Sequence, residues 1–234
     1  MLHLCLDTSS VTSMAIVRDG QTIARARSAS VRHHVENIAP MLRELLTEAG
    51  LPTTGADLRA VGLDAVLVGT GPAPFTGLRA GLVSARVFAH AAGVPVYGVA
   101  SLDVLARGAL DVLPPGTPVV ALSDARRREL YWGLYRALGP DDVALEGRLE
   151  VGEPTLLTRD LRQTEALVVC EEALPPHSVE VLQGAPVGPT AVLDPAIMVR
   201  IVLARLARGD MLHLNAEPQY LRRPDIHGQK PQRL

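Results

Sequence analysis

The hydrophobic positions change period several times along the chain. Leu2–Asp7 is a short apolar run, while Ser13–Arg18 and Gln21–Ser28 alternate apolar and polar residues, which predicts three strands. Asp19-Gly20 between the last two is a two-residue hairpin signal. From His34 to Ala49 the period lengthens. Val35, Ile38, Ala39, Leu42, Leu46 and Ala49 recur at helical spacing, and Gly50 stops the helix. Asp64–Val68 predicts a buried strand. The loop Gly69–Thr76 leads into a second helix, Gly77–Ala92, closed by Gly93. Val94–Val99 predicts another strand, and Ser101 an N-cap for a helix through Ala106.

The break Leu113-Pro114-Pro115-Gly116 precedes a second start. Pro118–Ser123 and Glu129–Tyr135 predict two strands, Gly139–Asp142 a turn, Val143–Leu149 a third strand and Ala166–Cys170 a buried one. Ala196–Arg208 predicts a helix, with Asp194 as its cap and Pro195 at its first position. The β-β-β opening therefore occurs twice, near Leu2 and near Pro118, as a duplication of topology and not of sequence. That predicts two similar lobes with a cleft between them. Gly209–Leu234, with Pro218, Pro224 and Pro231, is expected to be an extended tail.

Composition narrows the class. A chain of 234 residues can bury a sizeable core. Its 47% hydrophobic and 21% charged residues describe a globular protein and exclude a disordered one. Apolar runs such as Ala60–Val68 fall well short of the ~18 residues that span a bilayer. The opening residues lack the basic region and cleavage site of a signal peptide, so a cytoplasmic location is expected, with no membrane partner. Cys5 and Cys170 lack CxxC spacing and read as reduced, buried thiols. The net charge of −2 and the 3% aromatic content do not suit a protein that binds nucleic acid alone. Any RNA role is expected to run through a partner. Lys230 is the only lysine, and no Walker-type GK[ST] loop is present.

Several motifs together resemble a known family. Asp7-Thr8-Ser9 after the first strand resembles the phosphate-binding hairpin of the actin/hexokinase/Hsp70 ATPase superfamily. The run Val68-Gly69-Thr70-Gly71-Pro72-Ala73-Pro74-Phe75-Thr76-Gly77-Leu78-Arg79-Ala80-Gly81-Leu82 resembles the GxGPGSFTGLRxGL signature of the TsaB (YeaZ) family. Further matches, in order, are His34 and Pro40; Gly98-Val99-Ala100-Ser101-Leu102-Asp103; Asp124-Ala125-Arg126-Arg127 with Glu129-Leu130-Tyr131; and Pro218-Gln219-Tyr220-Leu221-Arg222. They span nearly the whole chain. The resemblance implies an α/β, actin-like ATPase (ribonuclease H-like) fold, with two lobes that each have a β-β-β-α-β-α type core. The expected division is 1–108, 109–208 and a tail at 209–234, with the last helix able to pack back on the first lobe. The resemblance also implies a role in forming N6-threonylcarbamoyladenosine on tRNA, beside the anticodon. Members of the family pair with a catalytic paralogue, TsaD, and an ATPase, TsaE, and act as a scaffold.

The residues qualify that picture. The catalytic paralogue carries two metal-binding histidines four residues apart, and the matching stretch here, Ala100–Arg107, has none. Neither adjacent His33 and His34 nor His90, His177, His213 and His227 form a ligand spacing, and HExxH is absent, so no metal and no peptidase chemistry are expected. Asp7, Thr8, Ser9 and Ser10 have the chemistry of a nucleotide contact; turn hydrogen bonds are the competing reading. The second-lobe phosphate turn would fall at Val169-Cys170-Glu171-Glu172-Ala173, which has two carboxylates and no glycine and would repel phosphate. Pro74 stands where the family has a serine and offers no N–H to an anion, so the Gly69–Arg79 loop reads as a rigid structural turn, with Arg79 left as a salt-bridge or anion contact, or, in the favoured reading, as a solvated or interface arginine. No GxSxG elbow accompanies Ser101 and Asp103.

A surface remains as the carrier of function. In the second helix Leu78, Leu82, Ala85, Ala89 and Ala92 form one apolar stripe, continued by Gly77, Gly81, Phe88 and Ala91. The expected partner interface is His34, Ile38, Met41, Leu42 and Leu45 with Leu78, Arg79, Leu82, Ala85, Phe88 and Ala89; intramolecular core is the competing reading. The basic clusters, Arg126–Arg128 and Arg222/Arg223 through Lys230 and Arg233, read as solvated surface, or as a tRNA contact within an assembled complex. The sequence thus predicts a non-catalytic scaffold or activating subunit, with no cofactor of its own beyond a weak ATP or ADP contact or one at a shared interface. Partners are TsaD-like and TsaE-like proteins, tRNA indirectly, and homodimerisation when alone is left open. The alternative is a stand-alone nucleotide-dependent transferase or ATPase.

Overall fold

The computed structural model describes residues 1–28, 34–53 and 58–222. In chain order its strands are β1 (Leu2–Asp7), β2 (Ser13–Arg18), β3 (Gln21–Arg27), β4 (Ala65–Gly69), β5 (Val96–Val99), β6 (Val119–Asp124), β7 (Leu130–Leu138), β8 (Asp142–Gly152) and β9 (Leu167–Cys170). The helices are α1 (His34–Glu48), α2 (Phe75–Ala92), α3 (Ser101–Leu110), α4 (Pro154–Leu161) and α5 (Ile197–Ala207). Two units result. One holds Met1–Ser101 and Asp194–Pro218, the other Leu102–Leu193 and the chain from Gln219.

The first unit is built on a five-stranded sheet in the order β3-β2-β1-β4-β5. β1, β2 and β3 pair antiparallel, whereas β1–β4 and β4–β5 are parallel. Asp19 (φ 50°) and Gly20 (φ 79°) make the β2–β3 turn with two left-handed residues, the geometry that Asp-Gly favours. Every residue of β1 and β4 is buried, so both faces of the central strands are covered. α2 packs on β1, β4 and β5, and α1 on α2, β2 and β3. α5 packs on β1, β4 and β5.

The second unit repeats this plan. Its sheet runs β8-β7-β6-β9, with β6–β7 and β7–β8 antiparallel and β6–β9 parallel. That is the order and orientation of β3-β2-β1-β4. A fifth strand is present only in outline. Val187 and Ala191 form isolated parallel bridges to Val168 and Glu171 at the place β5 holds in the first unit. Alternate residues of the sheet enter two cores. Val119, Ala121, Tyr131, Tyr135 and Val169 pack with Leu102, Leu105 and Ala109 of α3. Val120, Leu122, Leu130, Trp132 and Val168 pack with Leu157 and Leu161 of α4. The doubled β-β-β-α-β plan is the actin-like arrangement.

Several sequence expectations shift. α2 starts at Phe75 and not Gly77, because Pro74, extended at ψ 141°, sets the boundary and its carbonyl accepts from the Leu78 amide. β8 runs to Gly152, beyond the expected Leu149, across a bulge opposite Trp132 and Leu134. α4 has no counterpart in the sequence reading, although Pro154, Leu157 and Leu161 sit on its buried face. α3 runs to Leu110, four residues past the expected end. Against the expected division at 108 and 208, the first unit ends at Ser101, and α5 lies with the first sheet, the placement that the expectation left open. Its Met198, Val199, Ile201 and Val202 are buried there. Within the expected tail, Leu212–Leu214 forms a short 3-10 turn, with Leu214 and Ala216 buried.

Candidate functional site

The β1–β2 hairpin, where a nucleotide contact was expected, is bonded internally. Asp7 and Thr8 are buried, and Ser9 and Ser10 are half-buried. One Asp7 carboxylate oxygen accepts from the Ser9 amide at 2.7 Å and the Ser9 hydroxyl at 2.6 Å. The other accepts from the Ser101 hydroxyl at 2.7 Å. Ser101, expected as a cap, is the first residue of α3, and its hydroxyl proton is spent on Asp7, which ties Ser101 to the end of β1 within the first unit. The Thr8 hydroxyl donates to the Gly77 carbonyl at 2.8 Å, in the first turn of α2.

These bonds explain the glycines of the signature. A Cβ at Gly69 would lie 1.9 Å from Asp7 Oδ2, and one at Gly81 2.2 Å from Thr8 Oγ1. One at Gly98 would meet the Asn215 carbonyl at 2.4 Å. Gly71 is left-handed, at φ 89°, and its carbonyl accepts from the Ser101 amide at 2.7 Å. The Thr70 amide donates to the Val99 carbonyl at 2.8 Å. The Gly69–Pro74 loop is therefore fixed by its own backbone, as a structural turn.

The expected interface residues separate into two groups. Ile38, Met41, Leu42, Leu45, Leu78, Leu82, Ala85 and Ala89 are core of the first unit. They are buried in the packing between α1, α2 and the sheet, which is the competing core reading. Phe88 is half-buried and Arg79 exposed. The side chain of His34 lies outside the described residues, as do His33, His227, Arg223, Lys230 and Arg233. The exposed apolar side chains of α2 are instead Val83, 60% exposed, and Val87, 56% exposed. Phe75, Thr76, Arg79, Ala80, Val83 and Ser84 line a depression of about 410 Å³. The Arg79 guanidinium lies over the Phe75 ring, 5.1 Å from its centroid, so it stacks along this face. The signal for this face was present in the i, i+4 series Phe75, Arg79, Val83, Val87, but the longer Leu/Ala/Gly stripe masked it. On the flank, Arg86 donates to the Ala216 carbonyl at 2.8 Å and pairs with Glu217 at 2.7 Å.

In the second unit, Glu171 and Glu172 occupy the turn after β9, with Glu172 left-handed at φ 59°. The β6–β7 hairpin holds Arg126, Arg127 and Arg128 at φ 61°, 54° and 63°. Non-glycine residues in that region cost on the order of 1 kcal/mol each. Burial raises the thiol pKa of Cys5 far above its usual range, with the Asp194 charge adding to it, and burial followed by the Glu171 charge raises that of Cys170. Among the described residues, no group of three or more His, Cys, Asp or Glu side chains is placed to hold a metal ion. No helix among them is long and apolar enough to cross a membrane.

Against known proteins, residues 27–156 match the family model described as TsaD: tRNA N6-adenosine threonylcarbamoyltransferase. An uncharacterized protein of Mycobacterium leprae is 36% identical over 93% of this chain and 53% of its own length. Another, from Mycobacterium tuberculosis, is 35% identical over 95% of this chain and 92% of its own. The Escherichia coli tRNA threonylcarbamoyladenosine biosynthesis protein TsaB is 34% identical over 58% of this chain and 55% of its own length. The chain thus spans about half the length of the first and third of these relatives. Two solved structures from Pseudomonas aeruginosa are each 27% identical and cover 94% of this chain and 99% of their own. They are an uncharacterized protein with similarity to peptidase YeaZ, at a TM-score of 0.73, and YeaZ, at 0.68. With more than half its length inside that family model, and with relatives named TsaB and a fold shared with YeaZ, the chain belongs to the TsaB/YeaZ family.

Proposed function

We propose that this chain is a cytoplasmic, non-catalytic scaffold or activating subunit of a bacterial complex that forms N6-threonylcarbamoyladenosine on tRNA next to the anticodon. It pairs with a TsaD-like catalytic paralogue and works with a TsaE-like ATPase. The observation that carries the reading is the open face of α2. Val83 and Val87 are exposed beside the Phe75–Arg79 stack, on a helix whose opposite side is locked into the sheet. Two branched aliphatic side chains gain little in water and fit a helix-in-groove or helix-bundle contact. The internal bonding of Asp7 and Thr8 also supports a structural use of the old phosphate hairpin.

The test is co-purification of the chain with its TsaD-like paralogue. Val83→Asp/Val87→Asp should leave thermal stability within about 1 kcal/mol of wild type, since both sites are exposed, and should abolish the heterodimer on size-exclusion chromatography. An unchanged heterodimer refutes this face as the interface. ATP turnover by the purified chain alone, lost in Asp7→Ala, refutes the scaffold reading itself.

A further inference from the structure

The hairpin between β6 and β7 reads Asp124-Ala125-Arg126-Arg127-Arg128-Glu129. Its three arginines are consecutive, exposed and left-handed in backbone. Glycine would take those positions without steric strain, and asparagine with less. The strained turn is well secured. The Ala125 amide donates to the Glu129 carbonyl, the Glu129 amide to the Arg126 carbonyl, and the Arg126 amide to the Asp124 carboxylate at 2.8 Å. Beneath it the half-buried Arg222 donates to the Ala125 carbonyl at 3.1 Å and pairs with Glu129. A secured turn that demands glycine geometry yet carries arginine keeps those side chains for their guanidinium groups.

Topology adds a second point. β6 and β7 repeat β1 and β2, so this hairpin is the second unit's counterpart of the Asp7 hairpin. In the first unit that turn is bonded inward through Asp7 and Thr8. In the second it carries three consecutive exposed arginines, of which Arg126 also pairs with the Asp124 carboxylate at 3.4 Å, on a chain whose net charge is −2. Consecutive left-handed residues rotate by roughly 100° each, so three side chains fan out instead of sharing one direction. One carboxylate would be met by a single guanidinium fork, whereas a fan suits anionic groups spaced along a strand.

We propose that the Arg126–Arg128 hairpin is a contact for the phosphodiester backbone of RNA, one that positions the strand without reading its sequence. This rests on the reading above that the chain works in an assembly acting on tRNA. A chain of net negative charge would use such a contact inside the complex and would not hold RNA tightly alone.

The test compares wild type with Arg126→Gly/Arg127→Gly/Arg128→Gly, each assembled with the paralogue, in tRNA binding across a salt series. Glycine suits the left-handed backbone, so the variant should keep or raise its melting temperature. Its affinity for tRNA should fall about tenfold at low salt, and the slope of log K against log salt should shrink by about 2. The matching triple lysine variant should retain most of the slope. Equal affinity and slope for wild type and glycine variant overturns the hairpin contact and leaves the scaffold reading standing. If the glycine variant instead loses the paralogue in the absence of tRNA, the arginines face an acidic protein surface and the RNA contact is overturned. If the wild-type complex itself binds no tRNA, both readings fall.

Discussion

Replacing Gly81 by alanine should destabilise the protein, against the usual preference of helices for alanine. In an ordinary helix interior this change gains about 1 kcal/mol. Here the new Cβ lies 2.2 Å from Thr8 Oγ1 and 3.2 Å from its Cγ2. Normal contact requires a retreat of about 1 Å. Thr8 is buried, and its hydroxyl is engaged with the Gly77 carbonyl at 2.8 Å, so it cannot turn away without losing that bond. Overpacking costs roughly 1–3 kcal/mol and the lost hydrogen bond about 1 kcal/mol. Set against the helix-propensity gain, the net loss is about 1–3 kcal/mol, a fall of roughly 5 °C in Tm. Thermal unfolding followed by circular dichroism would be measured for wild type, Gly81→Ala, Thr8→Ala and the double variant. In the Thr8→Ala background only the threonine Cβ, at 3.3 Å, remains close. There Gly81→Ala should cost little, giving a coupling energy of at least about 1 kcal/mol. A Gly81→Ala protein as stable as wild type, or an equal effect in both backgrounds, refutes the idea that this glycine exists to admit Thr8.

Two further outcomes follow from burial. Burial and the Asp194 charge hold the Cys5 thiol protonated, and Cys170 is only half-buried. At pH 8 a thiol reagent should therefore modify native Cys170 before Cys5, and both more slowly than in the unfolded chain; fast labelling of native Cys5 would contradict the packing of β1. Burial also holds His3 below the ordinary imidazole value of about 6.5, with Asp64 pulling weakly the other way. Because the unfolded chain takes up that proton first, the contribution is present above about pH 6.5 and is lost as pH falls toward the lower folded value. The urea midpoint should drop between pH 7.5 and 5.5, and less so in His3→Leu; equal drops would remove His3 as the cause.

The element types and their order were largely readable from the chain, because period and turn chemistry are local. The Asp19-Gly20 hairpin, the apolar runs at β1 and β4, and the doubled β-β-β opening needed no distant contact to be recognised. α4 escaped because eight residues make barely two turns, too short for a helical period to stand out. Asp7 illustrates the limit at the candidate site. Its chemistry suited a nucleotide, but Ser101, distant in sequence, turns that carboxylate inward.

Periodicity also told which helices carry apolar stripes, yet not what covers each stripe. The broad Leu78–Ala89 side of α2 meets α1 and the sheet, so the more conspicuous half of the expected interface is core. The smaller Val83 and Val87 patch is what stays open. Gly69 and Gly81 were visible in the signature run and Gly98 in a separate match, but their cause lies in Asp7, Thr8 and Asn215, brought against them only when the strands and helices pack. The placement of α5 on the first sheet was open in the sequence as one option, and tertiary packing decided it. An apolar helix specifies that it must be buried, and the geometry of the folded chain selects where.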